Sequence, residues 1–254
     1  MIAGVACEKM HFYKSISTYY DDIFPADRQE INFLVERLAV ARSILDIGCG
    51  TGIKTAYFES PNREVIGIDQ DEEMIAAARA KHYGCTLSYE VLDMLDIGKR
   101  FSGRAFDTIL CLGNTLVHLT NLETMSAWLK EVYALLGQNK DTNGDFVLQI
   151  LNYDRILDKN IEALPVLENE KVKFARFYRN EGKLLRFVTE LHVKETDRII
   201  ENDIPLYPLR GSELISLLTN AGFKKVENFG NYLGDPLKED SFVNIAVCCK
   251  ASSG

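Results

Sequence analysis

The sequence lacks several features that would indicate particular classes of protein. Basic residues do not outnumber acidic ones, because 29 Lys and Arg stand against 37 Asp and Glu, a net charge of −8. Nucleic-acid binding needs a basic stripe and none is visible, so we expect no nucleic-acid partner. No charged-then-apolar leader is present, and no apolar run approaches the ~20 residues of a membrane span. We therefore expect a cytoplasmic protein that does not bind membranes.

The cysteines lack the spacing that metal sites and disulfide frameworks use. No CxxC pair occurs, and three of the six cysteines lie in strand-like runs. We interpret them as small buried hydrophobic residues in a reducing compartment, and we predict no metal site. At 254 residues, with 46% apolar residues, the chain can bury one substantial core. The six are Cys7, Cys49, Cys85, Cys111, Cys248 and Cys249.

The most informative stretch is ILDIGCGTG, residues 44–52. An apolar strand that carries one carboxylate, Asp46, runs into three glycines at alternate positions. Because they have no Cβ, Gly48 and Gly50 let the chain turn tightly and let a ligand approach the backbone. We expect a helix to begin at Thr51, with its free N–H groups facing whatever lies in the turn.

Strand-like and helix-like segments alternate over the first 151 residues. This alternation predicts an α/β fold, a doubly wound parallel sheet with helices on both faces. The strands predicted after the glycine turn are 64–68, 87–92, 106–112 and 146–151. The predicted helices are 9–22, a segment from Asp27 to Leu38, a short segment ending near Ser60, a segment capped by Asp71, and 122–136.

The pattern changes after residue 151. Three strand-like runs separated by short turn signals predict an inserted antiparallel flap. A helix at 211–221 and two last strands then return the chain to the sheet. We assign 1–151 and 208–250 to one domain and 152–207 to a substrate flap. The predicted flap strands are 171–178, 184–193 and 198–207, and the last strands lie near 225–229 and 242–249.

Carboxylates stand at the ends of the first three predicted strands. Ligands of open parallel sheets bind outside the carboxyl ends of the strands. Asp69 follows Gly48 by 21 residues (69 − 48), the separation at which a carboxylate reaches a ribose held over the first turn. An aspartate at a strand end is more often a helix cap, but together with the glycine turn Asp69 indicates a bound cis-diol.

The glycine spacing separates two nucleoside cofactors. A dinucleotide motif places its third glycine three residues after the second, whereas this sequence has G-x-G-x-G. Asp46 would repel a pyrophosphate, yet it suits the α-ammonium of a methionine. Asp93 can accept from an adenine amino group while Met94 packs on the ring; a turn aspartate and a core methionine are the structural alternatives. The residues therefore favour S-adenosylmethionine.

These residues resemble the class I S-adenosylmethionine-dependent methyltransferases. The resemblance rests on ILDIGCGTG, on VIGIDQD at 65–71 and on the strand end Asp93-Met94, and it extends over residues 19–249. It implies a seven-stranded Rossmann-like sheet with the last strand antiparallel. The cofactor contacts that it implies are Asp46, Gly48, Asp69, Gln70, Asp93, Met94 and Leu112, and we add Gly50 from the turn.

A finer resemblance points to glycine N-methyltransferase and its small-molecule relatives. It rests on CLGNTLVHL at 111–119 and NYDRIL at 152–157. It matches Tyr20 to a cofactor-contacting tyrosine and Thr115 to a hydroxyl residue after the fourth strand. In glycine N-methyltransferase an arginine that holds the glycine carboxylate precedes the Asn-Tyr-Asp stretch, and here that residue is Leu151. This difference argues against glycine as the substrate, and amino-sugar N-methyltransferases share the layout.

The expected reaction is an in-line displacement from the sulfonium to a small-molecule acceptor, with an amine nitrogen as the first choice. Asn114 is the candidate for orienting the amine, and Tyr20 for closing the site. His118 is either a general base or a structural histidine. An oxygen acceptor and a non-catalytic S-adenosylmethionine-binding sensor or partner protein stay open as alternatives. The sequence leaves the oligomeric state open between a monomer and a homodimer.

Overall fold

Apolar segments rich in Ile, Leu and Val form the strands of the protein. The structure is a computed structural model and describes residues 15–137 and 144–250. Within those ranges, eleven strands form one sheet of seven and a second sheet of four. The strands are β1 Ser43–Ile47, β2 Glu64–Asp69, β3 Leu87–Val91, β4 Thr108–Cys111, β5 Asp145–Leu151, β6 Ala163–Glu168, β7 Val172–Glu181, β8 Leu184–Val193, β9 Arg198–Leu206, β10 Lys225–Phe229 and β11 Val243–Cys249.

Helices connect most strands of the larger sheet. Two of them, α4 and α6, were not predicted, because segments of four and six residues are too short to show a helical period. The helices in the described ranges are α1 Tyr20–Ile23, α2 Arg28–Arg37, α3 Glu72–Lys81, α4 Ile97–Arg100, α5 Leu122–Leu135, α6 Tyr153–Asp158 and α7 Gly211–Ala221.

The larger sheet has the order β10-β11-β5-β4-β1-β2-β3. Strand β11 is antiparallel to both of its neighbours, and every other pair along β5-β4-β1-β2-β3 is parallel. This confirms the predicted seven-stranded, mostly parallel sheet with an antiparallel last strand. Because β1 pairs with both β2 and β4, the strand order reverses beside β1. Ligands bind at such a reversal, outside the carboxyl ends of the strands.

The smaller sheet follows β5 in the chain and is antiparallel throughout, in the order β6-β7-β8-β9. Its longest pairing joins β7 to β8 over their whole length, from Val172 opposite Val193 to Glu181 opposite Leu184. The edge strand β6 was not predicted. It contains Pro165 and shows no regular alternation of buried and exposed residues, which is typical of an edge strand.

One of the predicted helices is corrected by the structure. In the predicted helix 9–22, the described residues are helical: Ser15 and Ile16 are α-helical, a 3₁₀ turn Ser17–Tyr19 follows, and then the single turn α1; residues 9–14 lie outside the described ranges, as does Cys7. No helix begins at Thr51, because Gly52 has φ = 72° and the chain cannot enter a right-handed helix through that conformation. A 3₁₀ turn, Thr55–Phe58, forms instead.

The core lies on both faces of the larger sheet. On one face Trp128 of α5 contacts Phe146 of β5, and Phe146 stacks on Phe223, with ring centroids 6.1 Å and 5.7 Å apart. On the other face Leu34 of α2 packs in a cluster that includes Ile44. These contacts pack the helices against both faces of the sheet whose strand ends carry the loops. None of the described helices is long and apolar enough to cross a bilayer.

We predict that the aspartate that begins α3 contributes measurably to stability. Asp71 accepts hydrogen bonds from the backbone N–H groups of Glu73 and Met74 at 2.9 and 3.0 Å. The Asp71→Ala variant should lose about 1 kcal/mol of unfolding free energy in a denaturant titration. Asp71→Asn keeps a capping oxygen and should stay close to the unaltered protein. Equal stability of the two variants would show that the cap contributes nothing.

Candidate functional site

The turn between β1 and the following 3₁₀ segment folds back over the end of β2. The N–H groups of Gly48 and Cys49 both donate to the carbonyl oxygen of Ile68, at 2.8 and 3.0 Å. Gly48 has φ = 75°, and a Cβ there would lie 2.6 Å from the hydroxyl oxygen of Thr115. Only glycine fits this conformation at this distance. The backbone of the turn lines the cleft outside the strand ends.

Asp69 fixes this turn from the end of β2. Its Oδ2 accepts from the N–H of Gly50 and its Oδ1 accepts from the N–H of Asp71, each at 3.0 Å. Burial raises the pKa of Asp69 to about 6, although these backbone hydrogen bonds oppose the shift. Each carboxylate oxygen can accept a further hydrogen bond, so the group is able to bind two hydroxyls of a diol.

Asp46, the carboxylate of β1, lies in a different environment. It is 3% exposed, and its Oδ2 accepts from the hydroxyl of Thr55 at 2.6 Å. Burial raises the pKa of Asp46 to about 6, and the Thr55 hydrogen bond and Lys54 lower it in part. This carboxylate lines a second cavity, not the cavity that Asp69 lines.

The first cavity, of about 440 Å³, lies outside the ends of β1, β2 and β4. It brings together every predicted cofactor residue except Asp46. Asp93 also caps the turn that follows β3, where its Oδ1 accepts from the N–H of Leu95 at 2.9 Å. The predicted residues that line the cavity are Tyr20, Gly48, Gly50, Asp69, Gln70, Asp93, Met94, Leu112 and Thr115.

The second cavity, of about 260 Å³, lies between the same strand ends and the smaller sheet. Its lining includes Asp46 and Asn114 from the larger sheet and Leu164, Arg176 and Phe187 from the smaller sheet. The two cavities adjoin, because they share part of their lining. The shared residues are Tyr20, Gly48, Leu112, Gly113 and His118.

Tyr20, on the single turn α1, forms a wall between the two cavities. Burial and the nearby charge of Asp69 raise the pKa of its phenol well above the usual value, so the hydroxyl keeps its proton. Four residues later Phe24 contacts Phe174 of β7 edge to face, with centroids 5.7 Å apart. Asp22 pairs with Lys171 at 2.8 Å. The N-terminal turn is thereby anchored to the smaller sheet.

Asn114 has both ends of its side-chain amide engaged by the protein. Its Oδ1 accepts from the N–H of Leu151 and its Nδ2 donates to the Tyr153 hydroxyl, each at 3.0 Å. It has φ = 70°, a conformation that asparagine tolerates better than most residues. The side chain therefore ties the end of β4 to the end of β5, and an acceptor amine would have to share Oδ1 with Leu151.

His118 is the one predicted catalytic residue besides Tyr20 that lines both cavities among the described residues. It is the last residue of a short 3₁₀ turn, Leu116–His118, which comes after the loop that follows β4. Its backbone N–H donates to the carbonyl of Thr115 at 3.2 Å. The imidazole is therefore held at the junction by a turn that the sequence pattern alone does not predict.

Comparisons with known proteins relate this chain to methyltransferases. A family model described as a methyltransferase domain matches residues 44–139, which contain the glycine turn, Asp69 and Asp93. A glycine/sarcosine N-methyltransferase of Parasynechococcus marenigrum is 26% identical over 81% of this chain and 71% of its own length. A protein of the same description from Halorhodospira halochloris is 27% identical over 89% and 85%. Residues 44–139 match a methyltransferase domain, and the relatives support a class I S-adenosylmethionine-dependent methyltransferase.

A solved structure shares the fold of this methyltransferase. An amino pentose methyltransferase from Micromonospora echinaspora superposes with a TM-score of 0.69 at 20% identity, over 92% of this chain and 95% of that one. At this identity the likeness concerns the fold. The cofactor of the methyltransferase is S-adenosylmethionine.

Sequence reasoning missed two residues of the candidate site. The side-chain oxygen of Gln149 in β5 accepts from the N–H of Gly113 at 2.8 Å and shapes the loop between the cavities. Arg176 in β7 lines the second cavity. The alternation of β7 could have predicted that Arg176 faces inward, because it lies on the same face as Phe174 and Tyr178, which are both buried.

We predict that the charge of Asp69 is needed for cofactor affinity. Hydrogen bonds to a charged group contribute about 1.5–3 kcal/mol, so Asp69→Asn should weaken S-adenosylhomocysteine binding by roughly 10- to 100-fold in calorimetric titrations. Affinity of the unaltered protein should fall as the pH is lowered through about 6, where Asp69 takes up a proton and can no longer accept from both hydroxyls.

The control is Asp71→Asn, since the Asp71 side chain caps α3 and does not line the cavity. This variant should retain the affinity at neutral pH, and the pH at which affinity falls should move down, because the charge of Asp71 contributes to the raised pKa of Asp69. Unchanged affinity in Asp69→Asn would exclude Asp69 as the ribose ligand.

Proposed function

We propose that the protein transfers the methyl group of S-adenosylmethionine to the nitrogen of a small amine held in the second cavity. The observation that supports this is the junction of the two cavities at Tyr20, Gly48 and His118. A sulfonium group at that junction would face a nucleophile in the neighbouring cavity. The two relatives described as glycine/sarcosine N-methyltransferases favour nitrogen as the acceptor.

Residues at different strand ends would bind different parts of the cofactor. Asp69 would accept from the two ribose hydroxyls, while Asp93 accepts from the adenine amino group and Met94 packs on the ring. The methionine ammonium would approach Asp46, directly or through water. The N–H groups of Gly48, Cys49 and Gly50 already donate to Ile68 and Asp69, so these three positions offer the methionine carboxylate no free donor. This assignment places the negative charge of Asp46 near the ammonium of the cofactor, and it gives the ribose and the adenine one carboxylate each.

The chemistry needs alignment more than it needs a strong base. The amine lone pair forms the N–C bond as the S–C bond breaks, S-adenosylhomocysteine leaves, and the new ammonium releases its proton to solvent. Holding two reactants in line can supply roughly 7–11 kcal/mol of a barrier in favourable cases. Tyr20 covers the junction as a neutral phenol and excludes water, while Asn114 contributes its amide oxygen to the orientation of the amine.

A nitrogen acceptor also fits the titratable groups at the junction. An amine that arrives unprotonated needs no base, whereas an alcohol must lose a proton during attack. The phenol of Tyr20 keeps its proton because burial raises its pKa, so it cannot serve as that base. An oxygen acceptor would depend on His118 alone among the residues that line both cavities.

We predict methyl transfer to at least one amine in a screen of amines, amino acids and amino sugars, with mass spectrometry locating the methyl group on nitrogen. For each active amine, kcat/KM should rise with pH up to the pKa of that amine, because only the unprotonated form attacks. The midpoint should therefore move when an amine of different basicity is used.

The Asp69→Asn variant is the matched control. At a cofactor concentration too low to saturate it, its turnover should fall if the methyl transfer depends on the cofactor. A midpoint common to all amines would assign the proton transfer to the protein. Turnover of hydroxyl compounds only would make the acceptor atom oxygen and overturn the proposal.

A further inference from the structure

Arg176 is a charged residue on a buried face. It lies on β7, where Val172, Phe174 and Tyr178 occupy the same inward-facing row and Lys173 faces outward. Arg176 is only 9% exposed and lines the second cavity together with apolar side chains of the smaller sheet. A guanidinium at such a position is costly to desolvate unless something compensates its charge.

The protein itself satisfies little of this side chain. Its Nη2 donates to the carbonyl oxygen of Pro165 at 2.7 Å, while the buried Nε has no hydrogen-bond partner in residues 15–137 and 144–250. Burial lowers its pKa, and the ionisable neighbour that opposes this shift is the phenol of Tyr178, not a carboxylate. A guanidinium has five N–H donors in a planar fork, so most of its binding capacity is unused.

The other charged groups of the second cavity already have partners. Lys54 pairs with Glu30 at 2.7 Å, and Glu30 also accepts from Tyr232 at 2.9 Å. Asp46 accepts from Thr55. Arg176 is therefore the charged lining residue, in the described part of the chain, that lacks both a counter-charge and a hydroxyl partner.

A second unsatisfied polar atom lies beside it. Thr189 of β8 is directly opposite Arg176 in the register of the two strands. Its hydroxyl is buried, at 0% exposure, and has no hydrogen-bond partner in the described ranges. Directly opposite residues of antiparallel strands place their Cβ atoms about 4.5–5.5 Å apart. Donors from two strands thus lie together on the inward face of the smaller sheet.

We infer that Arg176 forms an anion subsite of the second cavity and that the acceptor is an amine which also carries an anionic group, a carboxylate or a phosphate. The inference rests on the proposed function, since it gives the class of amine that the second cavity takes. The guanidinium binds the anion through the N–H groups that the protein leaves free, and this contact holds the amine end toward the junction at Tyr20 and His118. A guanidinium matches either anion, so experiment must separate the two.

The test compares amines that differ only in the anion. Glycine, alanine and phenylalanine are titrated into the protein saturated with S-adenosylhomocysteine, each beside its primary amide, and phosphoethanolamine is titrated beside ethanolamine. The charged member of at least one pair should bind roughly 10- to 100-fold more tightly than its neutral partner. Preference within the amino acid pairs identifies a carboxylate, and preference within the ethanolamine pair identifies a phosphate.

Arg176→Met should remove this preference without weakening the neutral partner or S-adenosylhomocysteine, and Arg176→Lys should restore part of it. Arg179→Met is the control, because Arg179 lies on the same strand with its side chain 67% exposed and pairs with Asp203 on the outer surface. This variant should keep the full preference. Thermal unfolding of all variants separates a loss of anion binding from a loss of folding.

Binding and turnover test the subsite and the methyl transfer separately. Equal binding of the members of every pair, or an equal loss for charged and neutral ligands in Arg176→Met, would overturn the anion subsite. Arg176-dependent binding of anionic amines without any methyl transfer would overturn the proposed amine methylation and leave the subsite in place. Methyl transfer to neutral amines alone, unaffected by Arg176→Met, would overturn the anion subsite and leave the proposed amine methylation in place.

Discussion

The structure depends on a small set of hydrogen bonds that fasten the first glycine turn to the end of the second strand. Gly48 and Cys49 donate to Ile68, and Gly50 donates to the carboxylate of Asp69. These bonds fix three consecutive backbone groups without using a single side chain of the turn. The cleft above the sheet is consequently shaped by backbone on one side and by carboxylates on the other. Both cavities use this turn as a wall, so its geometry determines where cofactor and acceptor meet.

The sequence revealed those parts of the site whose geometry is local. The glycine spacing and the separation of Gly48 from Asp69 belong to consecutive elements of the chain: the turn after β1, the 3₁₀ turn Thr55–Phe58 and β2. The predicted helix at Thr51 failed for an equally local reason, because Gly52 adopts a left-handed conformation that the residue type permits but does not dictate. Strand β6 was missed because an edge strand with Pro165 carries no alternating pattern.

The second cavity could not be predicted in the same way. Its walls come from α1, the ends of β4 and β5, and the smaller sheet, and residues such as Tyr20, Asn114 and Arg176 are far apart in the chain. No motif spans such distances, and only the folded structure shows that they meet. The sequence predicts that Asn114 orients the amine, but it does not show that Leu151 and Tyr153 already engage both ends of its side-chain amide.

Helix α1 has a further consequence, because its single turn belongs to the walls of both cavities. It is held to the smaller sheet by the contact of Phe24 with Phe174 and by the pair of Asp22 with Lys171. Exposed ion pairs contribute roughly 0–1 kcal/mol, so the buried side chains of this turn, such as Ile23 at 3% exposure, contribute more of its attachment. A displacement of this turn would open both cavities to bulk solvent together. Water exclusion in the cofactor cavity and in the acceptor cavity thus depends on the same four residues.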